Sequence, residues 1–405
     1  VNAFEPRTFS TDWEVMVVDR LERTVSTWRC RAFANALRAE LDLPVHVDMA
    51  AIEFGMGVNS SFEQFWYRTR RATDRAAEMV RELDLDLFPA GAHPVSALFN
   101  SSHVHVGSIH SETEGIHLEN QVLRYVPAFA ALAANSPYWN RRRGDYKSYR
   151  VRHRADGCTA PSSVRDPAMS QRTWGSDAAP KVYLAPTMEV RIPDCASSRR
   201  FLAEMTTFVA AFLHQEGERI SGAQPTPQEY RDILTNRWAA ARHGMQATFV
   251  WDGGTRPVAE VLGGMLDGCR EALGRLGTSP ERLRIVQTML RKRVCQADFA
   301  LQLSSRYPDP YLLCSAYSKL VRCWEVFDEY LESAPILEPA PAPDEEAVVA
   351  EHLAHIGEGT HFYSLRRVMS YPPPITDEII EHMAREGLIT REITPRGLLL
   401  HKRKA

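Results

Sequence analysis

Three things are scarce in this 405-residue chain: long apolar runs, paired cysteines, and an excess of charge of either sign. No stretch of about 18 uninterrupted apolar residues occurs, the most apolar being Tyr125 to Ala134, and this excludes a membrane-spanning helix. The N-terminus has no charged segment followed by an apolar one, so a soluble cytoplasmic protein is expected. The seven cysteines (Cys30, Cys158, Cys195, Cys269, Cys295, Cys314, Cys323) contain no CxxC pair and read as reduced, buried thiols. With 48 Lys+Arg against 51 Asp+Glu the net charge is -3, which excludes a wholesale polyanion binder, and 44% apolar residues exclude disorder. No repeat of fixed period is present. There is also no GxSxG elbow or paired Cys/His motif, so no protein nucleophile is indicated.

What is present is a pattern of elements. The clearest boundary is ESAPILEPAPAPDEE at 332–346, where Pro335, Pro339, Pro341 and Pro343 break any helical or strand period. It is expected to be an extended linker between a large unit, 1–331, and a small module, 347–405. In the large unit, apolar residues at three- and four-residue steps from Phe62 to Leu83 predict an amphipathic helix. Thr226, Pro227 and Glu229 form a capping box for a second helix that Gly244 stops. Further helices are expected over 118–135 and 199–216, the latter starting at Arg199 and Arg200. Strands are expected at 13–19, 45–54, 103–109 and 187–192. Their irregular spacing predicts an α+β fold with a largely antiparallel sheet.

Charge inside those strands carries the chemistry. Side chains two apart in a strand share a face. The pairs Asp12/Glu14, His103/His105 and Glu189/Arg191 therefore each project from one side of their strands, and Glu53 stands alone among apolar neighbours. Any one of these could be a solvated outer face. Together, on strands whose composition marks them as central, uncompensated carboxylates would each cost several kcal/mol, on the order of the known desolvation penalties. A positive partner is required. Carboxylates with one or two imidazoles and few thiols match a hard cation, Mg²⁺ or Mn²⁺, better than structural zinc, and such sites commonly hold phosphates.

In this order, the motifs resemble those of the type-2 glutamate–cysteine ligases and related carboxylate–amine ligases, which have a glutamine-synthetase-like catalytic fold. The matching stretches are Asp12-x-Glu14 with Val17-Val18-Asp19, Glu53, His103-Val-His-Val-Gly107, and Ala134-Asn-Ser-Pro-Tyr-Trp139 with Ser148-Tyr149-Arg150. They continue with Glu189-Val-Arg-Ile-Pro-Asp194, and with Asn236-Arg-Trp238 before Ala241-Arg-His-Gly244. The resemblance implies a curved antiparallel sheet flanked by helices, with ATP and a carboxylate substrate meeting on its concave face. It further implies that Asp12, Glu14, Glu53, His103 and Glu189 ligate Mg²⁺ bridging the ATP phosphates. His105 would lie near the phosphates or ribose, and Arg191 would neutralise the γ-phosphate. Arg150 and Arg237 would hold substrate carboxylate or phosphate oxygens. The activity implied is amide formation from a carboxylate and an amine through an acyl phosphate, releasing ADP and phosphate.

Asp12 stands where the family usually has Glu, Phe54-Gly-Met-Gly57 replaces its Thr-Gly turn, and His46 and Asp48 are imperfect stand-ins for a further Glu. These departures bear on substrate choice. A metal-dependent amidohydrolase, which His-x-His also fits, and a non-catalytic ligand-binding relative are the alternatives. The dense basic run RRRGDYKSYRVRHR, 141–154, is either a solvated loop or a lip attracting anions. Beyond the linker, three short helices (345–356, 361–370, 376–386) and two strands around Thr394-Pro-Arg-Gly397 resemble a winged helix. Its acidic third helix argues against nucleic acid and for docking a peptide or carrier protein. Small-molecule carboxylate and amine substrates are the other expected partners, and the sequence leaves homo-oligomerisation open.

Overall fold

The fold is described from a computed structural model over residues 8–19, 24–48, 50–107, 109–153, 177–181, 186–320, 324–344, 381, 384–385, 389–394 and 397–402. The strands of the main sheet are β1 (Phe9–Asp19), β2 (Val45–Asp48), β3 (Ala51–Gly55), β4 (Leu85–Phe88), β5 (Ser102–Gly107), β6 (Ala178–Pro180) and β7 (Thr187–Val190). They run in the order β2-β3-β1-β5-β7-β6, with β4 also paired to β1, and every pairing is antiparallel. The antiparallel α+β expectation holds. The expected single strand over 45–54 is instead a hairpin of β2 and β3. The chain reverses after Asp48, so His46 lies directly opposite Glu53.

Alternation in β1 separates two faces. Phe9, Thr11, Trp13, Val15 and Val17 are all buried, and their cross-strand partners include Ile52, Phe54, Val104 and Val106. This apolar face packs on the helix α1 (Arg199–Gly217), whose residues 201–215 are buried without interruption. Ser198 caps that helix by accepting from the Phe201 N–H at 3.0 Å, so Arg199 and Arg200 do mark a helix start. Polar side chains of the central strands point to the opposite face.

The amphipathic segment forms a helix over Phe62–Glu82 and the capping box of Thr226 and Glu229 opens a helix over Pro227–His243. Gly244, at φ +53°, ends the latter where a Cβ would meet the Cys295 sulfur at 2.7 Å, so a side chain is excluded twice over. The helix expected over 118–135 is two helices, Glu112–Val122 and Val126–Ala133, separated by a 3₁₀ turn at Leu123–Tyr125. Ser111 caps the first of them earlier than the sequence pattern indicated. Among the described residues no helix is long and apolar enough to cross a membrane. The described cysteines are free and buried.

The proline-rich segment is extended, but over residues 334–344 it is docked on the large unit rather than spanning open solvent. The Leu337 N–H donates to the Lys292 carbonyl at 2.9 Å and the Ala340 N–H to the Gln246 carbonyl at 2.7 Å. Thr248 Oγ1 donates to the Ala340 carbonyl at 2.6 Å, and Gln246 Nε2 to the Glu338 carbonyl at 3.1 Å. The prolines lack N–H groups, so among the described residues the backbone donors by which the segment bonds the large unit are those of Leu337 and Ala340. Beyond it, Ile389–Thr394 and Gly397–Lys402 form the expected hairpin. The three helices expected before it fall almost entirely outside the described residues, so the winged-helix expectation has no structure to support it.

Candidate active site

The polar face of the sheet gathers the charged residues read from the sequence. Cross-strand pairing sets Glu14 opposite Glu53, Asp12 opposite His103, and His105 opposite Glu189. Asp12, Glu14, Glu53, His103, His105 and Glu189 therefore lie on one surface spanning four strands, and side chains directly opposite interact strongly. Arg191, just past the end of β7, reaches the same surface.

Glu14 is 7% exposed and held by Ser101, which donates its backbone N–H at 2.7 Å and its hydroxyl at 2.6 Å to one oxygen, Oε2. The Ser101 hydroxyl also bonds His103 Nε2. His103 Nδ1 lies 3.5 Å from Glu189 Oε1, which accepts from Arg191 Nη1 at 2.6 Å. His105 Nε2 sits 3.0 Å from Asp12 Oδ2 and 3.6 Å from Glu189 Oε1, and its Nδ1 contacts Thr187 Oγ1 at 3.3 Å. The Lys181 ammonium is 3.1 Å from Glu189 Oε2, close enough to pair by charge, yet that buried oxygen has no aligned hydrogen-bond donor.

Electrostatics follow the geometry. Burial pushes the Glu14 carboxyl up, partly offset by the Ser101 bonds and by the charges of Arg150 and Arg191. Burial, then the charges of Asp12, Glu14 and Asp48, push Glu53 up to about 7. Burial pulls the His105 imidazole down, but the Asp12 bond and the Glu189 charge outweigh it and the net direction is up. Glu53 has no hydrogen bond or ion pair to any described residue. The surface thus carries more negative charge than its own cations balance.

Arg150 and Arg237 do not reach this surface as ligands of it. The Arg150 guanidinium donates to the carbonyls of Ile192 at 2.9 Å and Arg191 at 2.7 Å, which fixes the chain that presents Arg191. Arg237, 2% exposed, grips Asp177 with two bonds, Nε to Oδ2 at 2.6 Å and Nη2 to Oδ1 at 3.1 Å, and bonds the Val151 carbonyl at 2.9 Å. The Asp177 carbonyl in turn accepts from the Arg191 N–H at 2.7 Å. Both arginines stand behind Arg191. In the basic run, Arg142 and Arg143 are exposed on a two-residue strand, whereas Arg150 is buried.

Sequence reasoning missed Ser101, Lys181 and Asp177. Ser101 was accessible to it, since one more pleat upstream of His103 puts Ser101 on the same face. Lys181 and Asp177 flank the short Ala-Ala-Pro strand, which has no readable period.

Among the described residues no three His, Cys, Asp or Glu side chains already stand around a single point as a cation would need. The chemistry of the donors nonetheless suits one: among the described residues Glu53 has no hydrogen bond or ion pair, Glu189 Oε2 is buried with only the Lys181 charge beside it, and all the candidate atoms are oxygen or imidazole nitrogen. Cavities of about 300 Å³ beside Arg124, Asn236 and Trp251, and about 240 Å³ beside Phe212, Trp251 and Met265, contain none of these carboxylates.

The sequence profile of glutamate–cysteine ligase family 2 (GCS2) matches residues 95–153 and 172–303, which include His103, His105, Arg150, Glu189, Arg191 and Arg237. A Nocardia farcinica protein named as a candidate glutamate–cysteine ligase 2-2 is 26% identical over 337 residues, 68% of this chain and 88% of that protein. Among solved structures, the Francisella tularensis glutamate–cysteine ligase in complex with AMP is similar in fold. Its TM-score is 0.57 at 10% identity, covering 94% of this chain and 98% of that one. The ligase PafA, in complex with the prokaryotic ubiquitin-like protein Pup, has a TM-score of 0.53 at 13% identity, covering 98% of this chain and 87% of that one.

Proposed function

Because the chain belongs to glutamate–cysteine ligase family 2 and is an enzyme of the carbon–nitrogen ligase class, we propose that it joins a carboxylate to an amine at the polar face of its sheet, using ATP and releasing ADP and phosphate. The carboxylate is glutamate or a glutamate-like group, free or on a peptide. The observation that carries this is the crowding of acids on that face: they come from three strands, and Glu53 has no hydrogen bond or ion pair among the described residues. A cation–polyphosphate pair is the ligand class that corrects it.

A carboxylate is a poor electrophile, so its oxygen first attacks the γ-phosphorus of ATP, the bond to the ADP oxygen breaks, and an acyl phosphate forms. The amine nitrogen then attacks the acyl carbon, phosphate leaves, and the nitrogen gives up a proton. When bound, Mg²⁺ or Mn²⁺ would screen the approach of the two anions and draw charge from the transferring group. Asp12, Glu14, Glu53, His103 and Glu189 would hold it. Arg191 uses one Nη1–H on Glu189, leaving the rest of its guanidinium fork to bind phosphoryl oxygens and stabilise their charge. Arg150 and Arg237 keep Arg191 at its station through the carbonyls of Arg191 and Asp177. His105 holds Asp12 in line.

The test is a coupled assay for ADP and phosphate with ATP, Mg²⁺, glutamate or short acidic peptides, and pooled amines. Release that requires both acid and amine is expected, and E53Q and E189Q should lose it while keeping the native circular dichroism spectrum. AMP and pyrophosphate as products would overturn the acyl-phosphate route.

A further inference from the structure

Two cations from neighbouring segments meet on one buried carboxylate at the β7 end of the polar face. Pairing of β6 with β7 sets Ala179 opposite Glu189, and the Lys181 N–H carries the ladder one step further by donating to the Thr187 carbonyl at 2.8 Å. Lys181 is therefore one pleat beyond Ala179, on the side of the sheet that bears Thr187, Glu189 and Arg191. Ala179 has no side chain beyond its Cβ, so the space over Glu189 is left to the Lys181 stem. Its ammonium lies 3.1 Å from Glu189 Oε2, and Arg191 Nη1 donates to the other oxygen, Oε1, at 2.6 Å.

The charges and exposures of this trio point to an anion. Glu189 supplies one negative charge to two cations, while Asp12, two strands away, is engaged by His105 at 3.0 Å. The Glu189 carboxylate is 3% exposed, whereas the side chains of Lys181 and Arg191 are 14% and 20% exposed, so the cations and not the acid are open to a ligand. Both backbones are fixed, Lys181 by Thr187 and Arg191 by the Asp177 carbonyl at 2.7 Å. The carboxylate ties an ammonium and a guanidinium to its two oxygens, so both stand within reach of one incoming phosphoryl group and neither has to move when charge develops on it.

We propose that Lys181 is a catalytic residue of the phosphoryl-transfer step, binding the γ-phosphoryl oxygens of ATP beside Arg191 while Glu189 keeps the two cations together. This rests on the reading of the polar face as the site of an ATP-dependent ligase. In that step the substrate carboxylate oxygen bonds to the γ-phosphorus and the bond from phosphorus to the ADP oxygen breaks. No proton moves, and Lys181 acts by charge alone on the group in transit.

The experiment titrates the full chain, at saturating Mg²⁺, with ADP and with the non-transferable ATP analogue adenylyl imidodiphosphate, for wild type, K181M and K181R, and records thermal midpoints. Only the analogue carries a γ-phosphoryl group. K181M keeps the stem and loses the charge. It should bind the analogue about 10–100-fold more weakly, as for a lost hydrogen bond to a charged group, and ADP as the wild type does. Under turnover kcat should fall by a similar factor with KM for acid and amine unchanged, and K181R should recover most of both losses. If K181M is unfolded at the assay temperature, K181Q takes its place. An unchanged ratio of the two affinities in the folded variant overturns the proposal: with both weakened alike, Lys181 only holds Glu189, and with a raised KM for the acid it serves the substrate carboxylate. A wild-type chain that binds neither nucleotide overturns instead the reading of the face as an ATP site.

Discussion

Arg237 separates two readings of the basic residues in a single variant, R237M. If its guanidinium holds substrate, the change raises KM and leaves the fold alone. The geometry assigns it instead to a buried bidentate pair with Asp177, the two side chains being 2% and 7% exposed. Removing one partner of such a pair strands the other charge, at about 3–5 kcal/mol. Taking about 4 kcal/mol, and an unfolding entropy of ~2.1 cal/mol/K per residue over roughly 330 residues, gives ~0.7 kcal/mol/K and a midpoint lowered by about 6 °C. Calorimetry on R237M, D177N and the double variant should show this fall and a coupling of at least about 2 kcal/mol, because the double variant leaves no buried charge unpaired. Activity should drop through kcat, since Asp177 holds the backbone of Arg191. A midpoint within about 1 °C of wild type, combined with a tenfold rise in KM, would refute the structural assignment.

Two further outcomes follow. In the full chain, A340P removes the N–H that bonds the Gln246 carbonyl, and should lower the midpoint by about 1–2 °C, from the ~0.5–1.5 kcal/mol of a half-buried bond, and expose 334–344 to limited proteolysis; A342P, whose N–H makes no such bond, should do neither. Burial, with Glu204 and Glu325 adding to it, pushes the Asp328 carboxyl up to about 7. A raised carboxyl favours the folded state when protonated, so its contribution is lost as pH rises from about 4 to 7 and the ionised form is a burden above that. The shift corresponds to at most about 4 kcal/mol, or about 2 after allowing for partial exposure. D328N should therefore melt near wild type at pH 4 and about 3 °C higher at pH 8; a pH-independent difference would count against it.

The polar face of the sheet was legible because a strand has a period of two and charge on it is conspicuous. Asp12 with Glu14 and His103 with His105 needed only the alternation, and the apolar residues between them confirm which side is core. Where period fails, reading failed. The hairpin of β2 and β3 reads as one strand in the sequence because Val45 to Phe54 is β-forming throughout and nothing in Asp48-Met-Ala is a strong turn signal. Residues 118–135 read as a single helix in the sequence because a 3₁₀ turn barely disturbs helical spacing. Arg150 and Arg237 were singled out by residue type and motif, but a guanidinium's partner is not encoded nearby: that of Arg237 lies 60 residues upstream, in a stretch with no pattern. Long-range pairing of this kind belongs to the tertiary structure.

The same face is polarised, and this bears on how a nucleotide would lie across it. At the β7 end, Glu189 is surrounded by Lys181, Arg191 and two imidazoles, so positive charge there is ample. At the β3 end, Glu53 faces Glu14, with Asp12 and Asp48 near enough to raise it, and among the described residues only the more distant His105 charge opposes them. Opposed side chains about 5 Å apart interact by ~3 kcal/mol at an effective dielectric near 20. A carboxyl raised from 4.5 to about 7 stores a similar energy, of which burial supplies the largest part and the charges of Asp12, Glu14 and Asp48 add to it. On the proposed reading, a cation that reaches Glu53 would recover that energy at the β3 end, and Arg191 would offer its donors to a phosphoryl group at the β7 end. Under that reading a nucleotide would lie with its phosphoryl oxygens toward Arg191 and a cation within reach of Glu53, because each end of the face then meets the charge it lacks.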